Sequence, residues 1–337
     1  MTTTPTIPQY TRKDFVSDQE VKWCPGCGDH SVLAQLQTML ASAGILKENV
    51  VCVSGIGCSS RFPYYMNTYG FHSIHGRGPG IAQGIKCANP NLSVWLATGD
   101  GDALAIGGNH IIHLLRRNTD IKVLLFNNRI YGLTKGQYSP TSEFGKVTKS
   151  SPFGTIEYTF NPISVALGTG GTFVARSMDV EAKHMRDLLV KANAHRGTAF
   201  LEIYQNCAVF NEGAFDFMAD KALKDDAILY LEHGKPLVFG RAENRKGLRL
   251  KGLKLEVVSL KDCPESEILV HNEGDEGLAY MLSKLQSPEY PSPIGVFYRV
   301  VKPTYDELLH KQVADAKAKS HGSLQDLFLA GETWQVK

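Results

Sequence analysis

A chain of 337 residues with 43% hydrophobic content can bury one large domain plus an appendage, so no disordered or fibrous class is needed. The 36 Lys and Arg against 34 Asp and Glu leave a formal net charge of +2, which argues against nucleic-acid or polyanion binding. No run of about eighteen apolar residues offers a membrane span, and the opening "MTTTPTIPQYTRKDF" has no signal-type apolar core, so a cytoplasmic chain with no membrane partner is expected.

In chain order, residues 1–19 read as an N-terminal extension, followed by "WCPGCGD", in which Cys24 and Cys27 flank a Pro-Gly turn. From there helical spacing alternates with short apolar runs bounded by Gly, Asn and Asp. The expected strands are 49–54, 92–98, 121–127, 172–176 and 199–205. The intervening segments 30–44, 79–89, 102–118, 161–170 and 179–197 have helical spacing, the last with Asp179 as its cap and Gly197 as its stop. Residues 20–212 therefore predict an α/β domain, a doubly wound parallel sheet. Residues 213–337 read as a C-terminal arm or lid. It carries an antiparallel pair in "GLRLKGLKLEVVSL", which overlaps the one basic run Arg241–Lys254, and an amphipathic helix near "TYDELLHKQVADAKAK".

The richest segment is "WLATGDGDALAIGGNHIIHLLRRNTDIKVLLFNNRIYG". It predicts a βαβ unit whose two turns, Gly99-Asp100-Gly101-Asp102 and Asn127-Asn128, both lie at the carboxyl edge of the sheet, where open α/β folds bind ligands. Asp100, Asn128 and the carbonyl of Ile130 form a hard oxygen set suited to Mg²⁺ against phosphates. Gly99 and Gly101 let the backbone approach a diphosphate, and a helix starting near Ala103 offers it free N–H groups. No GxGxxG opens the first strand-to-helix turn, which weighs against a dinucleotide site.

The seven cysteines cannot all pair, and a reducing compartment disfavours structural disulfides, so metal ligation rises. Spacing alone leaves a redox pair, a four-cysteine zinc site and an iron–sulfur site all open.

Gly99-Asp100-Gly101, twenty-five residues, then Asn127-Asn128 resembles the thiamine diphosphate motif. With "WCPGCGDHSVL", "SGIGCSSRFPYY", "HSIHGRGPGIAQG" and "NNRIYGLTKGQYSPT", residues 20–215 resemble the beta subunit of the 2-oxoacid:ferredoxin oxidoreductases. The resemblance implies the thiamine diphosphate-binding fold, with thiamine diphosphate, Mg²⁺ and one 4Fe-4S cluster in this chain. Cys24, Cys27, Cys58 and Cys207 would hold the cluster, while Cys52, Cys87 and Cys263 remain core or surface residues. Asp100, Asn128 and the Ile130 carbonyl would hold Mg²⁺; Gly101, Asp102, Leu133 and Thr134 would surround the diphosphate; Ile56, Gly57, Ser59 and His75 would lie along the rest of the cofactor.

His75 reads as a group for the substrate carboxylate or a proton transfer, or else as hydrogen-bonded scaffold; Arg61 and Lys135 are the cations expected to face the 2-oxoacid or coenzyme A. Gly78, where the family leads one to expect Ala, departs from the pattern without touching an assigned role. The implied reaction is CoA-dependent oxidative decarboxylation of a 2-oxoacid with ferredoxin as acceptor, which such systems also run towards carboxylation. Arg61 and "FPYYMNTYGFHS" look like the 2-oxoglutarate branch, giving succinyl-CoA. No Glu here matches the one that activates thiamine, so an alpha subunit is implied, in an assembly of two alpha-beta pairs. The rival readings are a non-redox thiamine diphosphate decarboxylase or synthase subunit with a zinc site, and a non-enzymatic metal-stabilised interaction protein.

Overall fold

The computed structural model describes residues 8–319 and 322–336; the first seven residues of the expected N-terminal extension lie outside it. Its centre is an eight-stranded sheet in the order β2-β1-β3-β4-β6-β5-β11-β7. The strands are β1 (Val50–Ser54), β2 (Tyr69–His72), β3 (Ser93–Gly99), β4 (Ile121–Asn127), β5 (Phe173–Met178), β6 (Ala199–Tyr204), β7 (Ile228–Leu231) and β11 (Ser292–Arg299). All neighbours pair in parallel except β11 with β5. Strands β8 (Val238–Phe239), β9 (Lys246–Lys251) and β10 (Lys254–Ser259) form a separate antiparallel sheet.

The central strands read as continuous apolar runs because both sheet faces are covered. Alternate residues divide between two cores. Val51, Val53, Leu96, Val123 and Leu125 face one side, with Ile111, Leu114 and Leu115 of α3 (Gly108–Arg117) and Ala82 of α2 (Gly78–Ala88). Val50, Cys52, Trp95, Leu124 and Phe126 face the other, with Val32, Leu36 and Leu40 of α1 (Asp29–Ser42). Lys122 is the charged exception in β4: it is buried, and its ammonium is satisfied by Asp120 and by the carbonyls of His195 and Gly197.

The remaining helices are α4 (Pro162–Gly168), α5 (Ala182–Ala194), the single turns α6 (Asp216–Ala219) and α7 (Lys224–Ala227), α8 (Glu276–Ser283), α9 (Tyr305–Lys319) and α10 (Leu324–Phe328). Asn161 caps α4 by accepting from Ser164 N at 3.0 Å.

The five expected strands form, and three more join them. Strand β2 escapes a reading by apolar runs because it is an edge strand exposed along its whole length. Strands β7 and β11 come from the segment read as an arm; β11 inserts beside β5 although more than a hundred residues separate them. Asp179 is not the cap of α5, which follows Glu181; its carboxylate instead accepts from Asn206 N at 2.9 Å, tying the end of β6 to the turn after β5. The helix expected from Ala103 starts as one π turn over Asp102–Ile106, and α3 proper begins at Gly108.

Candidate active site

The carboxyl ends of β1, β3 and β4 meet at one cleft. It is lined by Ile56, Gly57, Cys58 and Ser59 after β1, by Gly99, Asp100, Gly101 and Asp102 after β3, and by Asn128, Ile130, Tyr131, Gly132, Leu133 and Thr134 after β4, with Asp29 and His75 completing it. Every residue that the sequence assigned to cofactor or Mg²⁺ is thus brought to one place. The cleft is narrow, about 90 Å³. Tyr131 narrows it: its phenol donates to the Gly101 carbonyl at 3.1 Å, and a Cβ on Gly101 would fall 2.2 Å from its ring.

Asp100 is 2% exposed, and its Oδ2 accepts from the hydroxyls of Ser139 and Thr141, both at 2.5 Å. Burial pushes its carboxyl up to about 6, against the pull of those two donors towards the anion. Among the described residues no Lys, Arg or His pairs with it. A buried carboxylate with one oxygen held and no counter-charge fits a divalent cation. Asn128 beside it accepts from Ile130 N at 3.2 Å in a tight turn that brings the Ile130 backbone to the same corner.

Asp102, expected beside the diphosphate, is fully engaged within the protein. Its Oδ1 accepts from His75 Nδ1 at 2.5 Å, Gly76 N at 2.7 Å and Ile56 N at 3.2 Å, and its Oδ2 from Thr98 Oγ1 at 2.7 Å. It ties the turn after β3 to the loops after β1 and β2 and fixes the imidazole, leaving His75 Nε2 as the atom available to a ligand.

A second cavity, of about 370 Å³, opens beside the first. Cys24, Cys27, Cys58 and Cys207 all line it, together with Trp23, Arg61, Lys135 and Gln205. Cys58 and Cys207 flank Gly132, each sulfur 3.5 Å from the point a Cβ there would occupy. Burial raises the Cys58 thiol to about 11 and raises that of Cys27 as well, with the Asp29 carboxylate adding to both. Among the described residues, no three His, Cys, Asp or Glu side chains stand as a single ion would need them. Thiolates round a lone zinc ion sit about 3.8 Å apart, as the tetrahedral Zn–S bond length requires. Four cysteines round one cavity of about 370 Å³ are a ligand set that a cluster would also accept. Cys52 and Cys263 are buried elsewhere, and Cys87 is half-buried on α2.

Arg61 and Lys135 line this cysteine cavity and not the first cleft. Arg61 donates to the Lys22 carbonyl at 3.0 Å, and Lys135 adopts a left-handed φ of 79°. Cys58, Asn128, Gly132 and Leu133 belong to both cavities, so the two are separated by one wall. Sequence reasoning missed Asp29, Tyr131, Ser139, Thr141 and Gln205. Three of them lie in the quoted segment "NNRIYGLTKGQYSPT", whose order alone does not say that the chain folds back to grip Asp100.

Residues 55–203 match the model of the thiamine pyrophosphate enzyme C-terminal TPP-binding domain. The chain is 49% identical to the 2-oxoglutarate oxidoreductase subunit KorB of Mycobacterium tuberculosis, over 96% of this chain and 88% of the relative. It is 38% identical to the 2-oxoacid:ferredoxin oxidoreductase 1 subunit beta of Aeropyrum pernix, over 85% of this chain and 80% of the relative. Its fold superposes with a TM-score of 0.78 and 30% identity on a chain of the 2-oxoglutarate:ferredoxin oxidoreductase from Magnetococcus marinus, solved with 2-oxoglutarate, coenzyme A and succinyl-CoA bound, covering 96% of this chain and 99% of that one. On these similarities the chain belongs to the family of 2-oxoacid:ferredoxin oxidoreductase beta subunits.

Proposed function

We propose that this subunit, with its alpha partner, converts 2-oxoglutarate to succinyl-CoA and CO₂ and passes the electrons to ferredoxin through a 4Fe-4S cluster of its own. The observation that carries the reading is the common wall of Cys58, Asn128, Gly132 and Leu133 between the cleft and the four-cysteine cavity. Thiamine diphosphate, when bound, supplies the carbanion chemistry that releases CO₂ and yields electrons.

Asp100, Asn128 and the Ile130 carbonyl would hold Mg²⁺. Ser139 and Thr141 would keep Asp100 Oδ2 occupied, so that the carboxylate presents its other oxygen. Gly101, Leu133 and Thr134 would border the diphosphate, and Ile56, Gly57 and Ser59 the rest of the cofactor. His75, anchored through Nδ1 by Asp102, would offer Nε2 to a substrate carboxylate or a proton. Arg61 and Lys135, which line the cysteine cavity next to the cleft, would face the 2-oxoacid or coenzyme A from that side. Cys24, Cys27, Cys58 and Cys207 would ligate the cluster through thiolates, and loading it would release their protons. The carboxylates of the cleft are Asp29, Asp100 and Asp102. None is a Glu, so the alpha subunit would bring the group that activates thiamine, in two alpha-beta pairs. No helix among the described residues is long and apolar enough to cross a membrane.

Anaerobic iron, acid-labile sulfide and thiamine diphosphate analysis of the purified complex tests the reading. About four irons and four sulfides attributable to this chain, lost on Cys58→Ser, support it. Stoichiometric zinc with bound thiamine diphosphate would overturn the electron-transfer half and leave a non-redox enzyme.

A further inference from the structure

Gln205 closes β6 at the edge of the cysteine cavity and is 1% exposed. Its backbone N–H donates to the Asn127 carbonyl at 3.0 Å, which fixes its Cα against β4. Its side-chain Nε2 lies 3.2 Å from Cys27 Sγ and 2.5 Å from the Asn206 carbonyl. A sulfur and a carbonyl oxygen are both acceptors, so the amide atom facing them must be the nitrogen; the reverse orientation would set oxygen against both. The other amide atom, Oε1, is buried with no partner among the described residues, so the side chain is held by its N–H groups alone.

The surrounding loop is shaped for this approach. Gly28 N donates to the Asn206 carbonyl at 3.2 Å, and a Cβ on Gly28 would stand 2.8 Å from Gln205 Cγ and 1.9 Å from Asp179 Oδ2. Any larger residue at 28 would push the Cys-Pro-Gly-Cys turn off the strand end.

We infer that Gln205 is a positioning residue for electron transfer: its amide N–H to Cys27 sulfur raises the reduction potential of the cluster. The inference rests on the cluster reading above. Reduction adds one electron to the cluster and moves no proton at this site. The added negative charge is shared with the ligand sulfurs, so an N–H aimed at one of them stabilises the reduced state more than the oxidised one.

The test is a potentiometric titration with dithionite of the complete enzyme, followed by paramagnetic resonance of the reduced cluster, for wild type, Gln205→Met and Gln205→Glu. Met keeps the length and removes the donor; Glu replaces the donor with a carboxylate. At a fixed ambient potential the ratio of reduced to oxidised cluster should fall about tenfold in Gln205→Met, equivalent to 59 mV for a one-electron couple, and further in Gln205→Glu. Iron-replete variants with potentials unchanged from wild type would overturn the inference. Wild-type enzyme carrying ¹⁵N in the glutamine side-chain amides gives a reading that needs no variant. A ¹⁵N coupling to the reduced cluster supports the contact, and its absence overturns it. Wild-type enzyme without iron would overturn the cluster reading and this inference with it, whereas an unshifted potential at full iron content overturns this inference alone.

Discussion

Asp102 separates a binding role from a scaffolding role, and its replacement gives a quantitative answer. The carboxylate is 2% exposed and accepts from four donors, three on the loops after β1 and β2 and one, Thr98, in β3. In Asp102→Ala, Thr98 can turn its hydroxyl elsewhere, and His75, whose side chain is 37% exposed, can reach water. The backbone N–H of buried Gly76 cannot, and that of half-buried Ile56 loses the one acceptor it has among the described residues. At about 1–3 kcal/mol for each buried donor left unpaired, the loss should be about 3 kcal/mol after local relaxation. In Asp102→Asn the amide nitrogen can face Thr98, whose hydroxyl turns to accept, while the oxygen keeps the other three donors; the loss should be about 1 kcal/mol. Urea unfolding of the chain without thiamine diphosphate reads both values. Affinity for thiamine diphosphate with Mg²⁺ should stay within about threefold of wild type in Asp102→Asn, because the amide oxygen keeps three of the four donors that hold the side chain in place. An Asp102→Ala protein of wild-type stability that no longer binds the cofactor would refute this account of the carboxylate.

Further outcomes are expected elsewhere. Asp100→Ala should abolish Mg²⁺-dependent binding of thiamine diphosphate, measured calorimetrically, while leaving the iron content intact. Gly132→Val should lower iron content without altering far-ultraviolet dichroism, since a side chain there would push between the sulfurs of Cys58 and Cys207. His195, packed against Phe173 with Nε2 2.9 Å from the Thr172 hydroxyl, is driven down to about 4, chiefly by burial. A folded-state value below the ordinary 6.5 means that the neutral form belongs to the folded protein. Its contribution is therefore complete above about pH 6.5 and is lost as pH falls towards 4, at most about 3 kcal/mol. Urea midpoints of wild type and His195→Gln should accordingly converge as the pH is lowered through that window; a constant gap would contradict it.

What the sequence made legible follows from what is local. A strand buried on both faces must be apolar throughout, so β1, β3, β4 and β6 announce themselves, and the turns that follow β3 and β4 in one βαβ unit must lie at the same sheet edge. The cleft follows from that topology. Strand β2 is exposed and therefore lacks the apolar signature, while β11 belongs beside β5 through contacts between distant residues that no local pattern encodes. The same limit hid Ser139 and Thr141. Their Ser-Pro-Thr order reads as a turn, and only the return of that loop onto Asp100 makes them donors. Asp179 misled because an acid before a helical run is an ordinary cap signal, yet its carboxylate serves the strand end that carries Cys207. Arg61 and Lys135 were assigned by charge, and charge does not say which of two adjoining cavities a side chain enters.

The central claim is that electrons leave the cleft through the wall it shares with the four cysteines. Rapid-freeze paramagnetic resonance of the complete enzyme, mixed anaerobically with 2-oxoglutarate, measures this directly. A reduced-cluster signal that depends on substrate and disappears in both Asp100→Ala and Cys58→Ser is the expected result. Iron-replete enzyme that releases CO₂ from 2-oxoglutarate with no such signal, or a signal that survives Cys58→Ser unchanged, would contradict it.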